Sequence, residues 1–338
     1  MASAVSLIKA WTFTHEGYPD ALRRSALASP PRPAPTELHV RVQAAALNPV
    51  DIQLMNFPVW KYLPSPWISP DKGIGEDFSG IVEAAGKDSG FDVGDEVYGI
   101  TFTLTGGTLQ EVIAINTKTS VVVKKPKDMS WEQAAALPLV WLTARTTIAH
   151  VESHIKSSGR LTVLGGSSAV GMYVLRLASQ RGREVLTTCS SRNTEFVKSM
   201  GATSVVDYNM DDVAQAVRDF APAAIIDCVG GTSCIGLAKR YVTIVGDKTG
   251  RDSMGGAAIY LWNPKMVIRT LLGKMNLGAS YDCVNLEFRK EWLEETLNLD
   301  RNKIIIDSTW NFDQVKEAFA KLNTGRARGK VVVKVCLK

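Results

Sequence analysis

The chain has 338 residues, 45% hydrophobic and 22% charged, which suits a globular protein of two domains with separate cores. Its formal net charge of +5 is spread along the chain without a basic stripe, which fits a small anionic ligand and gives no ground for nucleic-acid binding. No apolar run approaches the roughly 20 residues that cross a bilayer, and five cysteines without a CxxC pair argue for reduced thiols.

The N-terminal stretch MASAVSLIKAWTFTHEG carries neither the apolar core of a signal peptide nor the Arg-rich face of a transit peptide, so a cytoplasmic location is expected. Up to about residue 130 the pattern is mostly of strands. LHVRVQAAAL (Leu38–Leu47) alternates and then turns apolar; FSGIVEAAG, GDEVYGITF and LQEVIAI follow, each bounded by Gly, Pro or polar turns. The Pro-rich SPPRPAP (Ser29–Pro35) reads as a stiff loop between strands.

The texture changes near Trp131. SWEQAAALPLVWLTARTTIAHV has helical spacing, and Ser130 with Gln133 makes a capping box. Strands are then expected near Leu161–Gly165, Glu184–Thr188, Ser204–Asp207, Ala223–Cys228 and Tyr241–Gly246, with helices between the first four. Such alternation predicts an α/β domain, a parallel sheet with helices on both faces. The last forty residues read as strand, helix and strand returning to the first domain.

The first strand of the alternating region ends in Gly165-Gly166-Ser167-Ser168-Ala169-Val170-Gly171, which opens a helix. A dinucleotide site needs small residues there, so that backbone N–H groups at a helix N-terminus approach a pyrophosphate. Ser167 and Ser168 supply hydroxyls that cap the helix or donate to phosphate. A tight turn in any doubly wound sheet has the same appearance.

The end of the second strand narrows the choice. NAD sites usually carry an acidic residue there for the ribose 2′-hydroxyl; here the segment is Cys189-Ser190-Ser191-Arg192-Asn193. Two hydroxyls and a guanidinium suit a 2′-phosphate, which predicts NADPH, against the alternative of a Ser-rich cap with a solvated Arg.

At this point the chain resembles the medium-chain dehydrogenase/reductase superfamily, in its zinc-free quinone oxidoreductase-like branch. The resemblance runs through ALNPVD (Ala46–Asp51), GIGEDFSGIVEAAG (Gly73–Gly86), VGDEVYG, AAALPLVWLTA, VLGGSSAVG, SMGATSVVDY, IIDCVGG and TGRARGKVVV. It implies a GroES-like β-rich catalytic domain (1–130, completed by 300–338), a Rossmann domain with a doubly wound parallel sheet (131–299), and often a homodimer. By the same resemblance Asn48 and Asp51 are expected near the nicotinamide, Thr143 against the cofactor, Tyr208 and Lys330 near the adenosine phosphate, and Val229, Gly230 and Gly246 along the cofactor. Tyr62 is a candidate proton donor, or a packed aromatic.

Zinc-dependent relatives have a ligand Cys where this chain has LNPVD, and Gly-His-Glu where it has Gly75-Glu76-Asp77. Residues 1–130 hold no Cys and only His15 and His39, too few for a zinc site. His150 and His154, at i and i+4, read as surface residues. Without a Lewis acid, hydride transfer favours a carbon already activated by conjugation: an enone, a quinone or an enoyl thioester. The expected activity is therefore a metal-free, NADPH-dependent reduction of a small-molecule substrate. Alternatives are a trans-acting enoyl reductase of a biosynthetic megasynthase, and a non-catalytic NADPH-binding or interaction protein on the same fold.

Overall fold

The computed structural model describes residues 6–14, 17–57, 71–102, 106–155, 159–248 and 263–336. The chain divides into two compact units, one formed by Met1–Leu139 with Phe288–Lys338 and the other by Val140–Glu287.

The first unit is built on β1 (Leu7–Phe13), β2 (Leu22–Ala28), β3 (Glu37–Leu47), α1 (Pro49–Met55), β4 (Lys72–Gly73), β5 (Asp77–Ala85), β6 (Glu96–Ile100), β7 (Val112–Asn116), β8 (Val121–Lys124) and α2 (Trp131–Ala135). After the second unit it gains α8 (Lys290–Glu294), β15 (Ile306–Asn311), α9 (Val315–Asn323) and β16 (Lys330–Lys334). Its main sheet runs β15-β16-β3-β5-β6-β8, with β7 also on β3, beside a small sheet β2-β1-β4. β3 is central: Leu38, Val40 and Val42 are buried, and Ala44–Leu47 are buried without a break where β16 and β5 flank them. Helix α9 presents Val315, Ala318, Phe319 and Leu322, a spacing that puts all four on one face, to the core formed with Phe78, Val331 and Val333.

The sequence pattern missed β1, β2 and β8. β2 carries Arg23, Arg24 and Ser25 on largely exposed positions, which blurs its alternation.

The second unit begins within α3 (Pro138–Glu152) and continues through β9 (Arg160–Leu164), α4 (Gly171–Gln180), β10 (Glu184–Cys189), α5 (Thr194–Ser199), β11 (Ser204–Asp207), α6 (Val213–Phe220), β12 (Ala224–Asp227), β13 (Arg240–Thr243), α7 (Pro264–Lys274) and β14 (Ser280–Cys283). All neighbours in its sheet, β11-β10-β9-β12-β13-β14, are parallel. Order reverses between β9 and β12, the switch point of a doubly wound sheet. Residues such as Val163, Val185, Ile225, Ile226 and Val242 are fully buried, as strands covered on both faces require. β14 was not foreseen from SYDC, a four-residue strand with two polar side chains.

The helical reading after Trp131 resolves into two helices. The Ser130–Gln133 capping box forms, each side chain bonding the other's backbone N–H at 3.1 Å, and Pro138, which lacks an N–H for the preceding turn, opens a new helix. The compact units part at 139/140 and 287/288 rather than where the sequence texture changes, at 131 and 299. The reason is hydrogen bonding: Ser79 Oγ donates to Trp131 O at 2.7 Å, and the Tyr98 and Thr296 hydroxyls bond at 2.6 Å. Among the described residues no helix is long and apolar enough to cross a membrane.

Candidate active site

In the second unit, the turn leaving β9 is shaped by its small residues. Gly165 has φ 83°, and a Cβ there would lie 2.2 Å from Val229 Cγ1, in the loop after β12. A Cβ on Gly166 would lie 2.1 Å from Thr187 Oγ1, and one on Gly171 would lie 2.2 Å from the Gly165 carbonyl oxygen. The turn is pinned to β10, with Gly165 N–H donating to Thr188 Oγ1 at 2.8 Å and Gly166 N–H to Thr188 O at 3.1 Å. Ser168 Oγ accepts from Gly171 N at 3.0 Å, so this hydroxyl caps α4. The backbone N–H groups of Ser167, Ala169 and Val170 have no acceptor among the described residues. Unpaired donors at a helix N-terminus, in a turn whose three glycines leave no room for a Cβ, suit a pyrophosphate.

The end of β10 faces the adjacent strand. Ser191 N–H donates to Asp207 Oδ2 at 2.8 Å, and Tyr208 N–H to Cys189 O at 3.3 Å. Hydrogen bonds from Asn209 and Ser191 hold the Asp207 carboxyl below its ordinary range. Ser190 Oγ is buried without a hydrogen-bond partner. Arg192 is exposed and forms no ion pair among the described residues, and Tyr208, 57% exposed, leaves an aromatic face open beside them. An orphaned hydroxyl, a free guanidinium and an open ring fit a phosphorylated adenosine.

The loops after β12 and β13 are set by one acid that the sequence reading passed over. Asp227, fully buried, accepts from Val229 N at 3.0 Å, Gly230 N at 2.8 Å and Thr243 Oγ1 at 2.9 Å. Thr243 Oγ1 in turn accepts from Gly246 N at 3.0 Å. Burial raises the Asp227 carboxyl above its ordinary range despite these donors. Val229 is thereby held 47% exposed at the mouth of the turn. Thr143, on α3, is 7% exposed.

In the first unit a second polar cluster is assembled. Asn48 Nδ2 donates to Asp77 Oδ2 at 3.0 Å; Lys330 Nζ donates to the same oxygen at 2.9 Å and to Asn48 Oδ1. Asp77 Oδ1 accepts from Leu139 N at 2.8 Å. Asp51 takes Asn48 N–H on Oδ2 at 2.7 Å and Gly75 N–H on Oδ1 at 3.2 Å. Asn48, Asp51, Asp77 and Lys330 are each at most 2% exposed. Burial pushes the Asp51 carboxyl up to about 7, and burial with the neighbouring Asp51 and Asp77 charges raises Glu76 well above its ordinary value.

Two expectations are corrected here. Lys330 does not offer its ammonium to an adenosine phosphate: it is 2% exposed and committed to Asp77 and Asn48. Asn48 and Asp51 are not open to a ligand, because their polar atoms are spent on one another and on Asp77, Lys330 and the backbone. Glu76 and Asp77 were missed as site residues, although their position in GIGEDFSG was noted. Tyr62 and the tryptophans near it lie outside the described residues.

His150, half-buried, lies on α3, whereas His154 is exposed in the turn after α3 ends at Glu152, bonded to Ser153 Oγ at 3.0 Å, so the two do not share a helix face. Among the described residues no three His, Cys, Asp or Glu side chains are grouped to hold a metal.

Residues 34–127 match the family model of the alcohol dehydrogenase GroES-like domain, and residues 200–333 that of the zinc-binding dehydrogenases. The chain is 30% identical to the mitochondrial NAD(P)H oxidoreductase RTN4IP1 of Mus musculus over 362 aligned residues, covering 98% of this chain and 90% of that one. It is 32% identical to the 2-methylene-furan-3-one reductase of Solanum lycopersicum, over 98% of this chain and 80% of the other. Among solved structures, the quinone oxidoreductase of Coxiella burnetii superposes with a TM-score of 0.82 at 26% identity, covering 98% and 100% of the two chains. The two family models and relatives matched over 98% of this chain place it in the medium-chain dehydrogenase/reductase superfamily, among its quinone oxidoreductase-like NAD(P)H oxidoreductases.

Proposed function

We propose that the protein is an NADPH-dependent reductase of conjugated C=C bonds or quinones that works without zinc. The observation that carries this reading is the pairing of the open turn after β9 with the acid-free segment after β10. Ser167, Ala169 and Val170 offer unpaired N–H groups to the pyrophosphate. Ser190 offers a hydroxyl and Arg192 a guanidinium to a 2′-phosphate, with Tyr208 beside the adenosine, while the Ser191 hydroxyl is bonded to Asp207. When bound, the reduced nicotinamide supplies a hydride.

The donor chemistry argues against zinc. The two fully buried acids of the first unit, Asp51 and Asp77, are already engaged on both oxygens by backbone N–H groups and by Asn48 and Lys330. Four of the five cysteines are buried in the second unit. Acceptors that need no Lewis acid, whose conjugation already makes a carbon electrophilic, suit such a site. The tomato relative is named for a methylene-furanone and the Coxiella protein for a quinone, and both names fit that class.

The test is NADPH consumption with a quinone and with an enone. Turnover of either, with a lower KM for NADPH than for NADH, supports the reading. Activity only on carrier-bound acyl chains favours a megasynthase partner, and tight NADPH binding without turnover on any acceptor favours a binding protein.

A further inference from the structure

The short 3-10 turn that follows β10, Ser191–Asn193, is led by Ser190, with Asn193 N–H donating to the Ser190 carbonyl at 2.8 Å. A serine at such a position ordinarily turns its own hydroxyl onto a backbone N–H of the turn and is spent there. Ser190 does not: its side chain makes no capping bond, and its Oγ is buried without a hydrogen-bond partner. The first N–H of the turn, that of Ser191, is taken from outside, by Asp207 Oδ2 at 2.8 Å. Asp207 ends β11 directly beside Cys189, its register partner at the end of β10.

Asp207 is held firmly from its own side. Its N–H donates to Asp211 Oδ2 at 2.9 Å, and its carbonyl accepts from Met210 N at 3.0 Å and Asp211 N at 2.9 Å. Its Oδ1 accepts from Asn209 N at 2.9 Å and Asn209 Nδ2 at 3.0 Å, and the Ser191 hydroxyl joins Ser191 N–H on the carboxylate. Those donors hold the carboxyl below its ordinary range, so it is charged at neutral pH. With both oxygens engaged, Asp207 serves the turn and not a ribose hydroxyl, the role that an acid at the end of β10 has in NAD sites. A carboxylate is a strong acceptor for a turn N–H and has no proton to give a phosphate, whereas a serine hydroxyl can donate to one. Ser190 Oγ, orphaned in the protein alone, gains a partner only when such an anion arrives.

We propose that Asp207 is a positioning residue for NADPH selectivity: by capping the Ser191–Asn193 turn in place of Ser190, it leaves the Ser190 hydroxyl unspent for the 2′-phosphate. The inference rests on the NADPH reading above. Without the carboxylate, the turn recovers a cap from the nearest side-chain oxygen, that of Ser190, and the hydroxyl is lost to the ligand. NADH has no 2′-phosphate, so the same loss does not touch it. Asp207 also carries a negative charge near the phosphate, and the two effects have opposite signs: lost positioning weakens NADPH, relieved repulsion tightens it. The charge is shared among its hydrogen-bond donors and screened by water at a half-exposed position, so positioning dominates.

The experiment measures Kd for NADPH and for NADH by nicotinamide fluorescence in the full-length protein, D207A, S190A and the double variant, with thermal unfolding of each. Asp207→Ala should raise Kd for NADPH about tenfold and that for NADH less than about threefold. Ser190→Ala should weaken NADPH about tenfold in the wild-type background and less than about twofold in the D207A background, where the hydroxyl is already spent on the turn. Asp207→Asn, which keeps the shape and one acceptor oxygen, should fall between wild type and D207A; if D207A does not fold, D207N takes its place in the cycle with S190A. Equal losses for the two cofactors, independent effects at positions 190 and 207, or a D207N protein that binds NADPH more tightly than wild type overturns the assignment. In each of those cases a wild type that prefers NADPH, and an Arg192→Ala variant that loses the preference, leave the NADPH reading in place. A wild type with no preference for NADPH overturns both.

Discussion

The ammonium of Lys330 lies 2.9 Å from the carboxylate of Asp77, with 2% and 0% of the two side chains exposed. They are separated by 253 positions in sequence, and β16 and β5 bring them together from either side of β3. A buried pair of this kind is costly to break from one side, because the remaining charge has no water to turn to. Lys330→Met should therefore destabilise the protein by about 3–5 kcal/mol in urea denaturation. It should leave the affinity of the folded protein for NADPH within about threefold, because the Lys330 ammonium is buried, 2% exposed, and held by Asp77 and Asn48. A selective loss of NADPH affinity with unchanged stability would return Lys330 to the phosphate-binding role expected from its motif.

Asp51 makes a pH-dependent contribution whose sign follows from its burial. Its carboxyl is raised from 3.8 to about 7, so between those values the folded protein holds a proton that the unfolded chain releases. Stability from this group is therefore greatest in acid, declines as pH rises through that window and is level above it. Asp51→Asn removes the titration. The wild-type advantage over D51N in urea midpoint should shrink steadily from about pH 4 to about pH 8. An advantage that grows with pH would show that the carboxylate, and not the acid, is the form the fold favours.

Arg192 is exposed, with no ion pair among the described residues, next to the orphaned hydroxyl of Ser190. If it grips the 2′-phosphate, its truncation removes hydrogen bonds between charged groups, each worth about 1.5–3 kcal/mol. Arg192→Ala should raise the Kd for NADPH by about 10- to 100-fold and that for NADH by less than about threefold, read by nicotinamide fluorescence. Equal losses for the two cofactors would remove the basis for preferring NADPH.

Much of the second unit was legible because its signals are local. Strand β9, the small-residue turn and α4 are contiguous, and the absence of an acid after β10 is visible in five letters of sequence. Strand β14 was not legible, since four residues with two polar side chains have too little pattern to stand out. The first unit hid more. RGKVVV shows a lysine at the mouth of a strand, where a solvated or ligand-binding side chain is the natural reading. Its burial depends on Asp77 and Asn48 arriving from distant strands. Glu76 was equally opaque: adjacent acids in sequence look like a surface pair, and only the fold shows that one keeps a lysine and the other does not.

Gly165 tests the phosphate turn most directly, because two separate penalties meet there. Its φ of 83° is in the left-handed region, and a Cβ would lie 2.2 Å from Val229 Cγ1. The backbone penalty for a side chain at such a φ is about 1–2 kcal/mol, and the clash adds to it by pushing the turn away from the β12 loop. Gly165→Ala should lower Tm by several degrees and weaken NADPH at least about tenfold, since the displaced turn carries the unpaired N–H groups of Ser167, Ala169 and Val170. Adding Val229→Ala removes the clash but leaves the left-handed backbone, so the double variant should regain part of the lost stability and not all of it. A double variant no better than G165A would place the whole cost in the backbone. A single variant with wild-type Tm and NADPH affinity would mean that the turn tolerates a side chain, and would count against its role as the pyrophosphate cradle.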